Sequence, residues 1–586
     1  MLTDYPVEVS LRILTYLSAS ELSVLFLVSR AWKHLIDVNE ASVYRDVAFQ
    51  LGFISSPDEL LSEAKQYLKR MLADVDGWKE FCRRCLQVEK NWAGRGHSSI
   101  KSFSYARDIS YFKIDDENQF AITASWSGVK VFDLTGERIL WSLPETYMPF
   151  EEWFSFRYDH GCLVFENDSG SIEIWRLTST IASHDNLFPP SERQAVAASV
   201  AKQTFGGNGR GYFEPVSDIP FRMSDVPFQG VQTMRLVFPV LVVSAEEIVQ
   251  VFDVTTGEVL QTIGAVQFEN DGLTTGFAVD ATVNDEHVFV AGPTEIRIFS
   301  RSDGKLHLTI PLSHECRRSA LRVTRCDPAI IDAQLNTPLA ARSLKLDMES
   351  YSANDKIREI CVWGDTLIVL TKEGGVLIID HIDQVVKGNI HYSELSLMIR
   401  LSSPSRSHYA SHMEVHGGRI AVICAWGVYI ISLGPRFDLL AHQLSDSFYD
   451  AQRLSISRAF PSEKGWNTHQ DVHLTDTALF FISPVVPEQP IVDHPEFEGE
   501  QPNENQILPP SLPVDVPSVG PPGQMPDFVS PALSTFVPAF LTSGPLPGGD
   551  YDGDTVAVFA SEDGAELDFL EESEAFSLFC VDVSPL

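Results

Sequence analysis

The chain has 586 residues, of which 44% are hydrophobic and 21% charged, so it is long enough to bury a sizeable core in more than one domain. Its formal net charge of −36 argues against nucleic acid and anionic membranes as partners, because like charges repel. The sequence lacks the roughly 18 consecutive apolar residues of a membrane-spanning helix, and its start lacks the pattern of a signal peptide. Together with eight scattered cysteines, these features predict a soluble protein of the cytoplasm or nucleus.

The N-terminal segment carries three short helical patterns with more apolar surface than so small a segment buries alone. Asp4 is placed to cap the first helix, Pro6 lies in its first turn, and apolar residues follow on two of its faces. Ser18 and Glu21 have the spacing of a capping box and predict a second helix. A third helical pattern contains Trp32. A helix that is apolar on two sides indicates that this segment packs against a partner.

Residues 1–40 resemble the F-box. The resemblance rests on a proline, a glutamate and five apolar residues at the family's positions, namely Pro6, Glu8, Ile13, Leu17, Leu22, Val28 and Trp32. Tyr5 replaces the leucine that usually precedes the proline. The resemblance implies that these seven residues bind the Skp-type adaptor of a cullin-based ubiquitin ligase. Judged from residue type alone, the alternative is that the apolar members are ordinary helical core.

Residues 41–100 are predicted to form a helical linker. Apolar residues recur at helical spacing over three stretches, 42–51, 57–72 and 77–92. With Trp78 near its start and an Asn-Trp-x-Gly close, the third stretch resembles the linker of F-box proteins that carry a WD-repeat propeller. Cys82 and Cys85 have the spacing of half a zinc site, but no second pair follows at the required distance, so we interpret both as structural.

From residue 101 onward the pattern changes to short strands, and one phrase recurs. Seven alternating segments each follow another apolar strand, namely VKVFDL, IEIWRL, VQVFDV, IRIFSR, VLIIDH, VYIISL and LFCVDV. Their spacing of about 40 to 50 residues, or about twice that, fits the four-stranded blades of a propeller. Four of them resemble degenerate WD repeats. The predicted class is therefore α+β multidomain, with an all-α N-terminal part and an all-β propeller over 101–586. The number of segments favours seven blades over eight.

Asp280 and Asp285 are candidates for the polar network that anchors such blades, with the alternative that both are turn residues.

Two insertions interrupt the propeller pattern. The first, 178–230, shows no strong strand pattern and is predicted to be a long loop. The second, 484–550, is rich in proline and acid, and from residue 465 to the end the chain has 21 Asp and Glu and no Lys or Arg. Such a composition predicts disorder. If this insertion separates the second and third strands of the last blade, it leaves from the face that carries the blade-to-blade connections.

No motif for catalysis, metal or cofactor binding emerges from the sequence. The GGNGRG segment at 206–211 neither follows a clear strand nor has the Lys-Ser/Thr ending of a phosphate-binding loop. The acidic run from Asp550 to Asp554 has its glycine at the fourth position, where a calcium-binding EF-hand loop requires the sixth. HExxH and GxSxG motifs are missing from the sequence. We expect a protein that is not an enzyme and holds no cofactor.

A basic cluster follows the LHLTIPL strand, where a blade-to-blade connection is expected. It consists of Arg317, Arg318, Arg322 and Arg325. Arginine clusters bind acidic or phosphorylated peptides through bidentate hydrogen bonds, so we hypothesise that this cluster binds substrate. The alternative is a solvated basic turn.

These features together predict the substrate-recognition subunit of an SCF (Skp-cullin-F-box) ubiquitin ligase. The F-box would dock the Skp-type adaptor and through it a cullin, while the propeller would bind a protein substrate whose identity the sequence does not contain. The alternative is an interaction scaffold that uses the same propeller without assembling into a ligase. A propeller enzyme ranks third, because convergent ionisable residues are not evident.

Overall fold

The fold is given by a computed structural model of the whole chain. It describes residues 6–92, 96, 98–312, 320–323, 346–348, 356–401, 410–433, 437, 439, 454–461, 471–484 and 576–584, with short gaps inside the longer ranges. The predicted cap at Asp4, the predicted disorder of the acidic insertion and the run Asp550–Asp554 lie outside these residues.

The N-terminal part is helical, as the apolar periodicity predicts. Its helices are α1 (Val7–Leu14), α2 (Ala19–Val28), α3 (Arg30–Val38), α4 (Glu40–Leu51), α5 (Leu61–Ala64) and α6 (Trp78–Trp92), with a 3₁₀ turn at Lys65–Leu68 after α5.

The helix predicted over 57–72 is wrong outside 61–68, where the chain forms turns instead. The backbone N–H and the hydroxyl of Ser55 both donate to Glu59, which holds a turn ahead of α5. Beyond the 3₁₀ turn, the carbonyl of Met71 accepts a hydrogen bond from Arg84 of α6. These side-chain hydrogen bonds give polar groups partners other than those of a continuous helix. The spacing of apolar residues does not reveal such bonds.

In the described residues seven sheets form the blades of a propeller, each with four antiparallel strands, and the sheet of blade 5 has two further strands. From the inside outward, the strands of blades 1 to 4 are β2 (Ile109–Asp115), β3 (Phe120–Ser125), β4 (Gly128–Asp133) and β5 (Ile139–Ser142); β6 (Phe156–Asp159), β7 (Cys162–Glu166), β8 (Ile172–Leu177) and β9 (Phe213–Ile219); β10 (Thr233–Val237), β11 (Val240–Ala245), β12 (Ile248–Asp253) and β13 (Val259–Ile263); β16 (Asp280–Val283), β17 (His287–Ala291), β18 (Glu295–Ser300) and β19 (Leu306–Pro311).

Blades 5 to 7 follow the same order. Their strands are β22 (Ile357–Trp363), β23 (Thr366–Thr371), β24 (Gly375–Ile379) and β25 (Ser396–Arg400); β26 (Ala410–His416), β27 (Arg419–Cys424), β28 (Gly427–Leu433) and β29 (Leu454–Pro461); β30 (Val472–Leu474), β31 (Ala478–Pro484), β32 (Phe576–Asp582) and β1 (Ser99–Arg107). The first strand of each blade contacts the first strand of the next, and the ring closes between β30 and β2. All seven segments predicted as third strands occupy that place, which confirms seven blades.

The strand that closes the ring comes from the start of the propeller sequence. β1 pairs antiparallel with β32, with Ser99 opposite Asp582, and so forms the outer strand of the last blade. The ring of Phe103 in β1 stacks against Phe480 of β31 with centroids 6.4 Å apart. Joining the two ends in one sheet ties the first blade to the last.

Further pairs of strands and a helix are added to the four-stranded pattern of the blades. A hairpin of β14 (Phe268–Asn270) and β15 (Leu273–Gly276) lies between blades 3 and 4, and β20 (Ala320–Val323) with β21 (Leu346–Met348) extends blade 5 at its outer edge. Helix α8 (Ile382–Val386) connects the third and fourth strands of blade 5.

The segment 178–230, predicted as a loop, contains helix α7 (Glu192–Phe205) and the outer strand β9. Helix α7 begins with a capping box between Ser191 and Gln194. Its buried apolar residues, Ala197 and Ala201, are small, whereas Val196 and Val200 are exposed. The apolar period of this helix is therefore weak, which explains why the sequence pattern missed it.

The antiparallel blades give the propeller two faces. One face carries the turns between first and second strands and the connections between third and fourth strands, and we call it the linker face for the contacts described below. The opposite face carries the turns between second and third strands and the blade-to-blade connections. The chain leaves blade 7 for the acidic insertion on this opposite face, at the paired residues Pro484 and Phe576.

Candidate functional site

The first three helices expose an unusual amount of apolar side chain. Leu27 is 84% exposed, Tyr16 is 73% exposed, and Val24 and Val28 are each 64% exposed. Val7, Val9 and Val38 are also more than two-fifths exposed. Scattered exposed apolar residues are normal, but a cluster on one small helical unit marks an interaction surface. We call Tyr16, Val24, Leu27 and Val28 the exposed helical patch.

Local hydrogen bonds define the helices that carry this patch. Ser18 caps α2 as predicted: its hydroxyl accepts from the backbone N–H of Glu21, and the Glu21 carboxylate accepts from the backbone N–H of Ser18 at 2.7 Å. These bonds hold the pKa of Glu21 below its usual value. Ser29 ends α2 and caps α3 by accepting from the backbone N–H of Trp32. With a single residue between the two helices, Leu27 and Val28 lie at a sharp corner.

The seven residues predicted to bind an adaptor divide into three groups. Pro6, Glu8 and Val28 are exposed, and Ile13 and Leu17 are partly buried. Leu22 is fully buried and Trp32 is only 8% exposed. Leu22 and Trp32 are therefore buried in this structure, and adaptor binding by the seven residues stays a prediction.

Leu22 and Trp32 belong to the core of the helical part. They lie in one apolar cluster with Leu14, Ile36 and Val43, which continues into α4 and α6. Their role is to set the positions of α2 and α3, while other side chains form the surface. Residue type alone did not identify Tyr16, Val24 and Leu27 as surface residues, because an apolar residue on a helix is equally compatible with core and with interface.

The end of α6 anchors the helices to the propeller. Asn91 is fully buried and its amide donates to the carbonyl of Val583 at 2.7 Å. Trp92 is also fully buried, and its indole Nε1 donates to the carbonyl of Asp476 at 3.0 Å. Both acceptors belong to turns of blade 7 on the linker face. The Asn-Trp pair of the predicted linker is therefore the joint between the two parts.

A buried ion pair strengthens this joint. Arg419, at the start of β27, is 2% exposed and pairs with Glu89 of α6. Its guanidinium also lies over the ring of Trp92, 5.2 Å from the centroid. Tyr67 donates its hydroxyl proton to Glu89 at 3.2 Å, and burial together with the Glu89 charge raises the pKa of Tyr67. Replacing either Arg419 or Glu89 with a neutral residue would leave the other charge without a compensating partner.

Surface charges and a shared core extend the joint. Arg70 pairs with Asp116, in the first turn of blade 1, at 2.9 Å. The apolar cluster of the helices also contains residues of blades 6 and 7, such as Ile423 and Phe481. The helical part therefore rests on blades 6, 7 and 1 at the linker face, and the opposite face is free of these helices.

Charged residues of the inner strands form a network in the channel of the propeller. His412 of β26 contacts Glu359 of β22 at 2.9 Å through Nδ1 and Asp471, next to β30, at 2.7 Å through Nε2. Lys113 of β2 pairs with Glu414 of β26 at 3.0 Å. These charges compensate one another and join blades, which is a structural use of ionisable groups.

The pKa values of the network follow from this pairing. Burial alone would lower the pKa of His412, but the Glu359 and Asp471 carboxylates outweigh it and raise the pKa to about 10. Burial would raise the pKa of Asp471, but Lys113 and His412 hold it at about 2. His412 is therefore an imidazolium, and Asp471 a carboxylate, at neutral pH.

Asp280 forms a second polar contact between blades. This is the anchoring role that the sequence offered as one of two alternatives, the other being a turn residue. Its carboxylate accepts from the Thr233 hydroxyl of β10 at 2.9 Å and from the backbone N–H of Ile360 in β22 at 2.8 Å. Asp280 itself begins β16, so one side chain links blades 3, 4 and 5. Asp285 is an exposed turn residue.

The hypothetical arginine site is only partly described. Arg317, Arg318 and Arg325 lie outside the described residues. Arg322 lies in β20, which pairs in parallel with β25, and Arg322 is opposite Arg400. This places the backbone of Arg322 at the outer edge of blade 5, in a strand instead of the connecting loop that the sequence suggested.

The two remaining sequence motifs have structural roles. Cys82 and Cys85 are buried free thiols on α6, and the Cys82 thiol donates to the carbonyl of Tyr44 at 3.1 Å. Burial raises the pKa of Cys82 to about 12, so the thiolate that a metal requires is disfavoured. The GGNGRG segment begins at the end of α7, where Gly206 adopts a left-handed conformation with φ of 85° as the helix C-cap.

Comparison with known proteins identifies the helical part. The sequence model described as F-box-like matches residues 3–50. This range covers α1 to α3 and nearly all of α4. No curated protein matches the sequence.

Solved structures similar to the chain share little sequence with it. BamB from Moraxella catarrhalis is 13% identical with a TM-score of 0.32, covering 64% of this chain and 82% of its own. Kluyveromyces lactis Hsv2p is 10% identical with a TM-score of 0.31, covering 56% and 80%. Chaetomium thermophilum Raptor is 9% identical with a TM-score of 0.39, covering 82% and 38%. TM-scores this low do not support an inference about the fold or the function of this chain.

Among the described residues, the helices are too short or too polar to cross a membrane. The helical joint, the seven blades and the family match together suggest the architecture of a substrate receptor. The chain combines an F-box-like domain at residues 3–50 with a seven-bladed β-propeller.

Proposed function

We propose that the chain is the substrate-recognition subunit of an SCF-type ubiquitin ligase. In this proposal the F-box-like domain binds a Skp-type adaptor and through it a cullin, and the propeller binds the protein that is modified. The observation that carries the proposal is the exposed helical patch on the segment that matches the F-box-like family. F-box domains generally bind such adaptors.

The patch has the composition of a binding surface. Burying a Leu, Val or Tyr side chain that is otherwise in water contributes about 1.5 to 3 kcal/mol each. Tyr16 and Leu27 of the patch are large enough to serve as anchors, and a few such anchors carry most of the energy of an interface. Leu22 and Trp32 contribute indirectly, because they hold α2 and α3 in place from the core.

The joint between helices and propeller supports the same role. A receptor acts by proximity, so its two binding surfaces must keep a defined separation. The buried contacts of Asn91, Trp92 and Arg419 connect the two parts directly. A substrate bound to the propeller would then stay at a fixed distance from the adaptor.

The face opposite the linker is our choice for substrate binding. The helical part covers turns of blades 6, 7 and 1 on the linker face, whereas the opposite face carries the blade-to-blade connections and the exit of the acidic insertion. Binding residues lie preferentially on loops held by a rigid scaffold. The arginines at 317, 318 and 322 stay a proposal for this role, directed at an acidic or phosphorylated peptide.

The test is capture of the adaptor and a cullin by the full-length chain from cell extract, followed by titration with purified adaptor. We expect the double variant Val24→Asp, Leu27→Asp to weaken adaptor binding at least 100-fold, because it places two charges in an apolar interface. The matched control is Val196→Asp, Val200→Asp on α7, where two exposed valines lie one helical turn apart. The control should bind the adaptor as the unchanged chain does.

The outcome separates the ligase subunit from the interaction scaffold. Equal adaptor affinity for both double variants, with intact folding by circular dichroism, would contradict the ligase proposal. Failure of the unchanged chain to capture adaptor and cullin, while it still captures other proteins through the propeller, would favour the scaffold. Variants of Leu22 or Trp32 do not discriminate, because their loss unsettles the helical core itself.

A further inference from the structure

A cluster of metal-ligand side chains lies on the linker face between blades 4 and 5. It consists of Glu286 and His287, in the first turn of blade 4, and Asp383 of α8 in blade 5. One ligand atom from each residue lies within 4.8 Å of the others. Asp383 is nearly a hundred positions from Glu286 and His287 in sequence, and only the packing of the two blades brings it to them.

The histidine of this cluster is buried and its Nδ1 atom has no hydrogen-bond partner among the described residues. His287 is 4% exposed, and Nδ1 lies 3.8 Å from Asp383 Oδ1, which is too far for a hydrogen bond. A buried nitrogen without a partner costs free energy, so native structures rarely leave one. This unpartnered nitrogen lies in a group that also contains the Asp383 and Glu286 carboxylates, which is the composition of a metal-ligand set.

We propose that Glu286, His287 and Asp383 bind a divalent transition-metal ion, with zinc the best match. An imidazole nitrogen with two carboxylates suits Zn²⁺, whereas Ca²⁺ and Mg²⁺ prefer oxygen ligands alone. Three protein ligands leave a fourth position for water or for a side chain. His307 is an additional donor nearby, since its ring centroid lies 5.7 Å from that of His287.

The chemistry of the surroundings is compatible with this ligand set. Burial lowers the pKa of His287, and the charges of Asp383 and Glu286 oppose only part of the shift. Two carboxylates offset the charge of the ion, while Lys387 lies close enough to oppose it. Asp365 accepts from the backbone N–H of Asp383 at 2.9 Å and orients the start of α8.

Metal binding would draw the cluster together. Ligand atoms of a tetrahedral zinc site are about 3.3 Å apart, given bonds near 2.0 to 2.1 Å, so the present spacing must contract. Glu286 is exposed and Asp383 is partly exposed, which leaves both carboxylates free to move while His287 stays fixed in β17. The ion would then tie the first turn of blade 4 to α8 of blade 5, so binding should stabilise the propeller.

The test is titration of the metal-free full-length chain with Zn²⁺ by isothermal calorimetry and with Co²⁺ by visible absorption. We expect one saturable site, a tetrahedral Co²⁺ spectrum, and a melting temperature that rises with Zn²⁺ concentration. Asp383→Asn and Glu286→Gln should each weaken binding at least about 10-fold, since even loss of a residue that supports a ligand costs that much. His287→Ala should abolish the site.

The matched control for these variants is Asp285→Asn. Asp285→Asn removes an exposed carboxylate from the same turn and should leave binding unchanged. His287→Ala removes a buried side chain, so the two carboxylate variants keep the test valid if that variant fails to fold. Unchanged Zn²⁺ affinity in Asp383→Asn and Glu286→Gln, or the lack of any saturable site in the unchanged chain, would overturn the proposal.

Discussion

At the scale of single residues, the structure uses charge chiefly to hold blades together. His412 contacts carboxylates from two other blades, and Lys113 and Glu414 connect the first blade to the sixth. Each of these groups would be costly if buried alone, and pairing removes that cost. The stability of the propeller should consequently depend on the protonation of His412.

Raising the pH should weaken the propeller through His412. Its pKa is about 6.5 in the unfolded chain and about 10 in the folded one, so the stabilising contribution is complete below pH 6.5 and is lost as the pH rises through 10. His412→Gln should lower the free energy of unfolding at pH 6 by about 2 to 3 kcal/mol, less than for a fully buried pair because the side chain is 28% exposed.

Urea unfolding between pH 6 and 10 measures this effect. The decline in stability over that range should be smaller in His412→Gln than in the unchanged chain. The control is His391→Gln, an exposed histidine outside the network. Equal pH dependence in all three proteins would show that His412 does not stabilise the propeller through its charge.

At the scale of elements, end caps and strand pairing determine where the functional surfaces lie. Helix α2 has only ten residues, too few to be stable alone in water, so its cap and its core contacts define it. This short helix carries Val24 and Leu27 of the exposed helical patch. In the propeller, β1 completes blade 7 by pairing with β32. Helix α6 contacts this blade, so the pairing of β1 helps to position the helices.

Removing the cap of α2 should loosen the exposed helical patch. Ser18→Ala deletes the hydroxyl that accepts from Glu21, and we expect a loss of about 1 kcal/mol in the stability of the helical part together with weaker adaptor binding. Thermal unfolding and adaptor titration measure the two effects. Ser23→Ala is the control, since Ser23 is exposed within the same helix and alanine favours helix there. Equal effects of the two changes would contradict the role of the cap.

At the scale of the whole molecule, one joint connects the F-box-like domain to a closed ring of blades. The ring is complete without the acidic insertion, because Pro484 and Phe576 are paired across β31 and β32. The insertion therefore enters and leaves the propeller at neighbouring points. Its composition predicts that it does not contribute to the core.

Deleting the insertion should consequently leave the propeller stable. Replacing residues 488–548 with a short Gly-Ser linker should hardly change the melting temperature, since the closure entropy of a long loop grows only slowly with its length. Trp92→Ala is the reference for a damaging change, because it removes a fully buried side chain and should cost about 3 to 5 kcal/mol. A comparable loss in the deletion variant would mean that the insertion packs on the propeller.

The sequence by itself determined the parts of this protein that depend on neighbouring residues. The cap at Ser18 and the third strands of the seven blades follow from side-chain spacing over a few positions, where backbone periodicity decides the pattern. The same local information placed the helical unit before the propeller. It missed α7, whose buried face is made of alanines, and it extended the helix near residue 65 too far.

Only the tertiary structure decided which of these residues face outward and which distant residues meet. Helical spacing does not distinguish core from surface, so the burial of Leu22 and the exposure of Leu27 became evident only once α4 and α6 were in place. The pairing of Lys101 with Asp582, 481 positions apart, requires the ring to close, and the meeting of His287 with Asp383 requires blades 4 and 5 to pack together. Such contacts arise from packing between blades, and no local pattern encodes them.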